Sequence, residues 1–394
     1  MTLAASSGAA KDANHDGEGS EAFVALTDAI RRYRKQIEAD ARIPDDIVAM
    51  MKSAGVYRAA VPQRFGGDGA SLPELLRMLE RIAAADGSVG WAATFGPQMA
   101  SFLGALSREG LEAFYRDGPD IISAGALFPL QKARLVDGDV EISGRWKFAS
   151  GSLHADSIGV GLLLEDDERQ LGKPVPRVAL LDPRQVTIVP NWDVVGLVAT
   201  GSHDVMVKGA RVPLDRTFLR GADPAYLEPI YLFPPVTLAA LTFAAVAVGI
   251  AQDALAELYS LAKGKVSLAG GSPLAERAIA QIEMARSDYR LRASERYLVT
   301  EADRAWNEVA SKGALSRPAN LNLRMAAIQA TDDAASAVAT AFRLAGTTAI
   351  FLDHPLQRHL RDVNVVAQHA FLSPDHVEQA GRMLFDRPTS PHFP

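Results

Sequence analysis

Near the carboxyl terminus, the segment RDVNVVAQHAFLSP (361–374) carries one histidine, His369, and no carboxylate after Asp362. An imidazole donates or accepts hydrogen bonds, and its unperturbed pKa of about 6.5 lets it titrate near neutral pH. A carboxylate base is not available from residues 363–374. The segment therefore makes His369 a candidate for chemistry that uses an imidazole titrating near neutral pH. The alternative is a structural histidine near a helix end.

Several chemistries are excluded by residue types that the chain lacks or spaces unsuitably. The sequence has no cysteine, which removes disulfides, thiolate nucleophiles, iron–sulfur clusters and cysteine-ligated zinc. His354 and His359 are five residues apart and do not share a helix face well, which argues against a metal site. No GxGxxG motif follows a predicted strand, so a built-in nicotinamide site is not expected.

Composition and charge are typical of a globular protein without a polyanionic partner. Of the 394 residues, 48% are hydrophobic and 22% are charged, and the net charge of -6 argues against nucleic-acid binding. Residues 236–251 form the most apolar run; it is rich in alanine and too short for a membrane span, so it predicts a buried helix. Residues 1–20 lack a signal-peptide pattern and predict a disordered tail. We expect a cytoplasmic protein that binds neither nucleic acid nor membrane.

Hydrophobic periodicity divides the rest of the chain into three regions. Residues 21–117 have apolar positions three and four apart, which predicts a helical domain, and Ser71 and Glu74 are spaced as a capping box. Residues 118–225 alternate with a period of two, which predicts an antiparallel sheet or small barrel. Residues 226–394 return to helical periodicity, which predicts an antiparallel four-helix bundle. Its long helical runs are 236–262, 273–311, 318–346 and 354–372.

This order of regions, an α+β fold, resembles the acyl-CoA dehydrogenase fold, and three motifs in the same order carry the resemblance. The segment VPQRFGGDGASLPELLRMLERIAAADGSVGW is similar to the N-terminal part of that superfamily. DGDVEISGRWKFASG is similar to its β-domain, and PLQRHLRD to its last bundle helices. The resemblance implies an N-terminal helical domain, a middle antiparallel β domain and a C-terminal four-helix bundle.

The superfamily has two chemistries, and the position of an acid distinguishes them. Its dehydrogenases use FAD and a carboxylate base, usually a Glu shortly after an Arg-Asp pair and in a minority on the first bundle helix. Neither residues 363–374 nor residues 229–252 contain an acid. Because the α-proton of a thioester is weakly acidic, a positioned base is required. The chain therefore resembles the second branch, similar to the 4-hydroxyphenylacetate, secosteroid and dibenzothiophene monooxygenases, where a histidine commonly occupies the position of His369. The resemblance implies that His369 hydrogen-bonds the substrate or the flavin hydroperoxide and assists proton transfer.

The resemblance implies the oxygenase component of a two-component flavin monooxygenase. Reduced FMN or FAD would arrive from a separate NAD(P)H-dependent reductase, react with O2 to give a C4a-hydroperoxyflavin, and oxygenate an aromatic or heteroaromatic molecule, phenol-like or indole-like. A homotetramer is expected, with flavin docking helped by a neighbouring subunit. The alternatives are an acyl-CoA dehydrogenase or oxidase with a displaced base, an N- or S-oxygenase of the same fold, and a non-catalytic ligand-binding relative.

The same motifs imply site residues around the flavin ring. Phe148 and Ser150, in WKFASG, match positions beside that ring, and Ser150 is expected to protect the oxygenated flavin through a hydroxyl or backbone N–H at N5. Trp91, in GSVGWA, matches a tryptophan near flavin and substrate, with core packing as its alternative, whereas Trp146 is expected to pack in the sheet. Phenol hydroxylases carry a histidine eight residues after that tryptophan. Met99 replaces it here, which indicates a more apolar pocket for a neutral heteroaromatic.

Further positions are implied for the cofactor phosphates. Lys263 and Lys265 match basic residues at the end of the first bundle helix that meet flavin phosphate, although lysines there also favour the helix dipole. Gly346 and Thr347, in AGTTAI, match the approach to the cofactor pyrophosphate.

The remaining predictions concern the substrate pocket and its surroundings. The pocket-lining side chains are expected to be Phe128, Phe233 and Phe371. The connector PAYLEPIYLFPP (224–235) is expected to act as a lid, as long loops near such sites often do. Arg361 is expected to pair with Asp362 and to order the last helix.

Overall fold

The computed structural model describes residues 20–167, 172, 174–266 and 272–390, so the predicted tail lies almost wholly outside the described residues. The N-terminal region is helical. The capping box predicted at Ser71 is confirmed, because the Ser71 backbone N–H donates to the Glu74 carboxylate at 2.7 Å. The helices are α1 (Glu21–Asp40), α2 (Asp45–Ser53), α3 (Leu72–Ala85), α4 (Gly87–Ala93), α5 (Phe95–Leu103) and α6 (Arg108–Phe114).

The middle region forms a seven-stranded sheet in the order β5-β6-β2-β1-β3-β4-β7. Neighbouring strands of this sheet are antiparallel as predicted, except that β1 and β3 run parallel. A period of two marks a strand but does not encode its direction, so the sequence did not predict this pair. The strands are β1 (Ser123–Val136), β2 (Asp139–Trp146), β3 (Ser157–Leu164), β4 (Pro176–Leu181), β5 (Thr187–Val189), β6 (Asp204–Pro213) and β7 (Thr217–Leu219).

Trp146, at the end of β2, packs in the sheet as predicted. Its ring is fully buried, and its indole nitrogen donates to the carbonyl of Gly161 at 2.8 Å.

The C-terminal region is again helical. The predicted run 354–372 is too long, because His369 has extended backbone angles and the chain re-enters a separate 3-10 turn at Ala370–Leu372. The domain boundaries at 117/118 and 225/226 stay predictions; α6 ends at Phe114 and the bundle helices begin at Pro235. The helices are α7 (Pro235–Gly264), α8 (Ala278–Lys312), α9 (Arg317–Ala345), α10 (Pro355–Ala367) and α11 (Asp375–Leu384).

Helix α7 is the central helix of the molecule. It is long and apolar enough to cross a membrane by length and composition, yet 89% of its most apolar window is buried, as in the core helix of a globular bundle. It packs against α3 on one side and against α9 and α10 on the other. Gly249 permits the first contact, because a Cβ there would lie 2.2 Å from the backbone oxygen of Glu80.

Candidate active site

Four ring side chains from different elements meet between the helical regions. Trp91 of α4 stacks on Phe243 of α7, with ring centroids 4.3 Å apart and an interplanar angle of 6°. The imidazole of His369 lies 4.3 Å from the Phe243 ring and 5.8 Å from Trp91. Phe371 packs edge-on against that imidazole at 4.7 Å. The structure therefore brings together three predicted site residues and adds Phe243.

Helix α4 holds Trp91 through a capped, close-packed start. The Asp86 carboxylate caps the helix by accepting from the backbone N–H groups of Ser88 and Val89 at 2.9 and 3.2 Å. Gly90 lets α4 lie directly on α3, since a Cβ there would be 2.5 Å from that of Ala83. The rigid start fixes the direction of the neighbouring Trp91 side chain.

A chain of buried hydroxyl groups extends from the indole of Trp91. The Trp91 nitrogen donates to Ser150 Oγ at 3.2 Å, Ser150 and Ser202 are 2.6 Å apart, and Ser202 and Thr200 are 2.7 Å apart. Thr200 donates its only hydroxyl proton to the carbonyl of Leu197 at 2.9 Å. Ser202 must then donate to Thr200, and Ser150 to Ser202, because each hydroxyl has one proton.

The direction of this chain bears on the role predicted for Ser150. Its hydroxyl proton is committed to Ser202, and its backbone N–H donates to the carbonyl of Phe148 at 2.9 Å. A donor role toward flavin N5 would require this arrangement to change, and it stays a prediction. In the present arrangement, Ser150 holds the edge of Trp91.

Phe148 presents an exposed aromatic surface next to these buried hydroxyls. It follows β2 in the left-handed region, with φ of 64°, and its side chain is 65% exposed. Its ring meets the ring of Trp192 edge-on at 6.3 Å. A flavin ring is flat with apolar faces, and an exposed aromatic side chain such as Phe148 is suited to pack against one; that role stays a prediction.

His369 lies in the turn after α10 rather than on the helix. Its Nδ1 accepts from the backbone N–H of Phe371 at 3.2 Å and so caps the 3-10 turn, which leaves the ring proton on Nε2. Burial lowers the pKa of His369 to about 4. The predicted titration near neutral pH is therefore wrong, because the imidazole stays neutral there and carries its proton on Nε2. The catalytic role of His369 stays a prediction.

Asp362 and Arg361 bind different partners, so the predicted ion pair between them is not formed. The Asp362 carboxylate accepts from the backbone N–H of Leu197 at 2.6 Å. The Arg361 guanidinium pairs with Glu38 and donates to the carbonyl of Val195 at 2.7 Å. Burial, reinforced by repulsion from the Asp86 carboxylate, raises the pKa of Asp362 to about 7. Both side chains of α10 thus fasten the loop 195–200, which supplies Thr200 to the hydroxyl chain.

Three other predicted pocket residues make contacts outside the ring cluster. Met99 is buried on α5 against the start of β1, where a Cβ on Gly125 would lie 3.9 Å from its sulfur. Phe128 is 54% exposed on β1, with the Arg220 guanidinium 5.6 Å from its ring. Phe233 is buried and stacks on Trp306 of α8 at 6.0 Å. Their pocket roles stay predictions.

The connector 224–235, predicted as a lid, is fastened to the N-terminal helical region. The backbone N–H of Ala225 donates to Gly104 at 3.0 Å, and Glu228 pairs with Arg64 at 2.9 Å. The same arginine lies 4.0 Å from the ring of Tyr226. A lid movement would have to break these contacts.

The predicted phosphate ligands lie at the far end of α7. Lys265 contacts the hydroxyl of Thr348, in the 3-10 turn formed by Gly346–Thr348, while Lys263 lies 4.2 Å from the ring of Tyr259. At about 1.5 Å per helical residue, Lys265 is about 30 Å along α7 from Phe243. One flavin cannot easily reach both places within one chain, so the predicted phosphate role requires the flavin of a neighbouring subunit.

In the described part of the chain, the ring cluster has no bonded carboxylate of the kind that a dehydrogenase uses as its base. Across the described residues, no Asp or Glu is bonded to Trp91, Ser150, Phe243 or His369. Asp253, the first acid on α7, pairs with Arg34 at 2.7 Å and with His359 at 3.0 Å.

Comparison with known proteins supports this interpretation. The family model "Acyl-CoA dehydrogenase, N-terminal domain" matches residues 21–114, and "Acyl-CoA dehydrogenase, C-terminal domain" matches residues 241–374. Indole-3-acetate monooxygenase of Acinetobacter baumannii is 37% identical over 359 residues, which are 91% of each chain. The enzyme of the same name from Pseudomonas putida is 37% identical over 94% of this chain and 95% of its own. The FADH(2)-dependent resorcinol hydroxylase oxygenase component of Rhizobium sp. is 27% identical, covering 89% of this chain and 90% of its own.

A solved structure agrees with these relatives. The 3-HSA hydroxylase from Rhodococcus sp. RHA1 superposes with a TM-score of 0.86 at 26% identity, over 95% of this chain and 99% of that one. The chain therefore belongs to the flavin-dependent monooxygenases of the acyl-CoA dehydrogenase fold, as an oxygenase component that acts on an aromatic substrate with reduced flavin.

Proposed function

We propose that the protein oxygenates an indole-like aromatic molecule beside the ring cluster of Trp91, Phe243 and His369, with reduced flavin delivered by a separate reductase. The observation that carries the proposal is a neutral imidazole facing an aromatic stack with no carboxylate bonded to it in the described residues. Two relatives at 37% identity are named indole-3-acetate monooxygenases, and another structure of this fold holds FMN and indole.

The residues of this chain have separate tasks in the reaction. Trp91 and Phe243 offer flat apolar faces for an aromatic ring, and their burial excludes water. The Nε2–H of His369 donates a hydrogen bond to a polar atom of the substrate, because the imidazole is neutral at neutral pH and its Nδ1 already accepts from the Phe371 N–H. A reduced flavin, held by Phe148 and its neighbours, supplies the electrons that activate O2 when it is bound.

The flavin site is completed by a second subunit in this proposal. The roughly 30 Å between Lys265 and Phe243 supports that arrangement, because the two ends of α7 would serve different flavins. Exposed apolar side chains on α8 offer a surface for assembly into a homotetramer in the cytoplasm. They are Ile279, Ile282, Tyr289 and Tyr297.

An isotope experiment tests the proposal. The purified chain is supplied with FMN or FAD, NADH, a flavin reductase and 18O2, together with indole, indole-3-acetate or phenol. We expect one 18O atom in the product of an indole substrate, by mass spectrometry, and none without the reductase. Anaerobic bleaching of protein-bound flavin by an acyl-CoA, without oxygenation of any aromatic compound, would instead identify a dehydrogenase.

A further inference from the structure

Arg324 is a buried cation without a bonded partner. It lies on α9, and its side chain is 3% exposed. Its Nε and Nη2 atoms are buried and make no hydrogen bond, and across the described residues it forms no ion pair. Arginine remains protonated inside proteins, and an unpaired buried charge costs several kcal/mol of stability. The simplest explanation for such a buried charge is that it pairs with the negative charge of a bound ligand.

The packing of α7 on α9 places Arg324 at the level of the ring cluster. Thr237, in the first turn of α7, donates to the side chain of Asn320, in the first turn of α9, at 2.6 Å. The two helices therefore begin at the same end and run in the same direction. Arg324 lies about 6 Å beyond that contact along α9, and Phe243 lies about 9 Å beyond it along α7.

The turn that carries His369 also reaches this part of α9. Helices α7 and α9 both pack against the turn Ala370–Leu372. His376, at the start of α11, contacts the carbonyl of Ala370 at 3.3 Å. The positive charge of Arg324 is near enough to His376 to oppose its protonation. Arg324 thus adjoins the segment that follows His369.

We infer that Arg324 binds the carboxylate of an aromatic substrate whose ring lies beside the cluster of Trp91, Phe243 and His369. This inference rests on the proposed function and narrows its substrate class to aromatic acids such as an indole acetate. A guanidinium forms two parallel hydrogen bonds to a carboxylate, which fixes the direction of the attached ring as well as its charge. A charged substrate differs from the neutral heteroaromatic substrate that Met99 indicated in the sequence. Met99 packs against β1, so its apolar side chain gives no information about the charge of a ligand near α9.

Paired ligands that differ only in charge test the inference. Thermal unfolding of the full chain is measured anaerobically with reduced FMN or FAD and with indole-3-acetate, indole-3-acetamide or indole. The variants are Arg324→Met and the matched control Arg317→Met, which removes an exposed arginine from the start of the same helix. We expect R324M to weaken indole-3-acetate binding about ten- to a hundredfold, the effect of losing a charged hydrogen bond, and to leave indole-3-acetamide binding nearly unchanged.

The possible outcomes separate this inference from the proposed function. R324M should fold, because it removes an uncompensated charge, and its unfolding temperature without ligand should equal or exceed that of the wild type. Equal losses for the acid and the amide, or no loss for either, would refute a carboxylate contact while oxygenation of neutral indoles persists. A selective loss of FMN binding relative to riboflavin would assign Arg324 to flavin phosphate and refute the inference. If the wild-type chain oxygenates no aromatic compound, the proposed function itself fails.

Discussion

The indole nitrogen of Trp91 lies 3.2 Å from the hydroxyl oxygen of Ser150, although the two residues are 59 positions apart and belong to the helical and sheet regions. This bond joins the aromatic stack to the hydroxyl chain that ends at Leu197. The position of Trp91 therefore depends on the sheet as well as on its own helix.

The Trp91–Ser150 bond should appear as a measurable coupling. The variants are Trp91→Phe, Ser150→Ala and the double variant, and their unfolding free energies are measured in urea. A neutral buried hydrogen bond predicts a coupling energy of about 0.5–1.5 kcal/mol. Purely additive effects would mean that the bond contributes nothing to stability.

Replacing His369 with Asn should change the acid stability of the protein. Asparagine keeps a capping acceptor for the Phe371 N–H but cannot titrate. The folded pKa of about 4 lies below the unfolded value of 6.5, so His369 costs stability as the pH falls through that interval, by up to about 3 kcal/mol. H369N should lose less stability than the wild type between pH 6.5 and 4.

The same variant should lose activity because it lacks the Nε2–H donor. We expect turnover to fall about two- to tenfold, the effect of losing one neutral hydrogen bond to the substrate. If H369N shows the expected change in acid stability but unchanged turnover, His369 has only a structural role.

Asp362→Asn should change the pH dependence of stability in the opposite direction from His369→Asn. The folded pKa of about 7 lies above the unfolded value of 3.8, so the contribution of Asp362 is complete below pH 3.8 and is lost as the pH rises through 7. Denaturant titrations at pH 4 and 8 should show that D362N gains stability relative to the wild type at pH 8. The exposed Asp117→Asn is the control and should show no such difference.

Lys265→Met should weaken binding of a phosphorylated flavin. Removing an ammonium group that meets a phosphate should raise the Kd for FMN several-fold, leave riboflavin unaffected, and reduce the salt dependence of binding. Fluorescence titrations measure these constants. Lys208→Met is the control, because Lys208 is an exposed lysine on β6 with no predicted role in flavin binding. Equal effects on FMN and riboflavin would argue against a phosphate contact.

Gly249→Ala should separate α7 from α3. Its Cβ would lie 2.2 Å from the backbone oxygen of Glu80 and 2.9 Å from Ala83, so the helices must shift, at a cost of about 1–3 kcal/mol. Gly264→Ala, in the same helix, meets no atom within 4 Å and should be neutral or slightly stabilising. Urea denaturation compares the two variants.

Sequence reasoning was most successful where a motif is local. The capping box at Ser71, the three-region order and the family resemblance each depend on short segments, and the rings of Trp91 and His369 do meet. Phe243 was missed because it lies in an alanine-rich apolar run with no marker to distinguish it from core residues. Ser202 and Thr200 were missed because their partners come from distant segments.

Burial effects were the least predictable from sequence. The pKa of His369 depends on desolvation by elements that are far apart in the chain. The unperturbed pKa of histidine therefore gave a wrong prediction of where this residue titrates. Arg324 cannot be distinguished from the other arginines by sequence, because only the folded structure shows that it is buried. The length of α7 also separates Lys265 from Phe243 by about 30 Å, a distance that matching of motifs does not reveal.

In the loop 195–200, the backbone of every second residue forms a hydrogen bond to a side chain from another element. Val195 accepts from Arg361, Leu197 donates to Asp362, and Ala199 donates to Ser88 at 3.3 Å. Inserting or deleting one residue would move each anchor out of phase with its partner. Natural length variation is therefore expected to avoid this loop and to occur in segments that contact only one region.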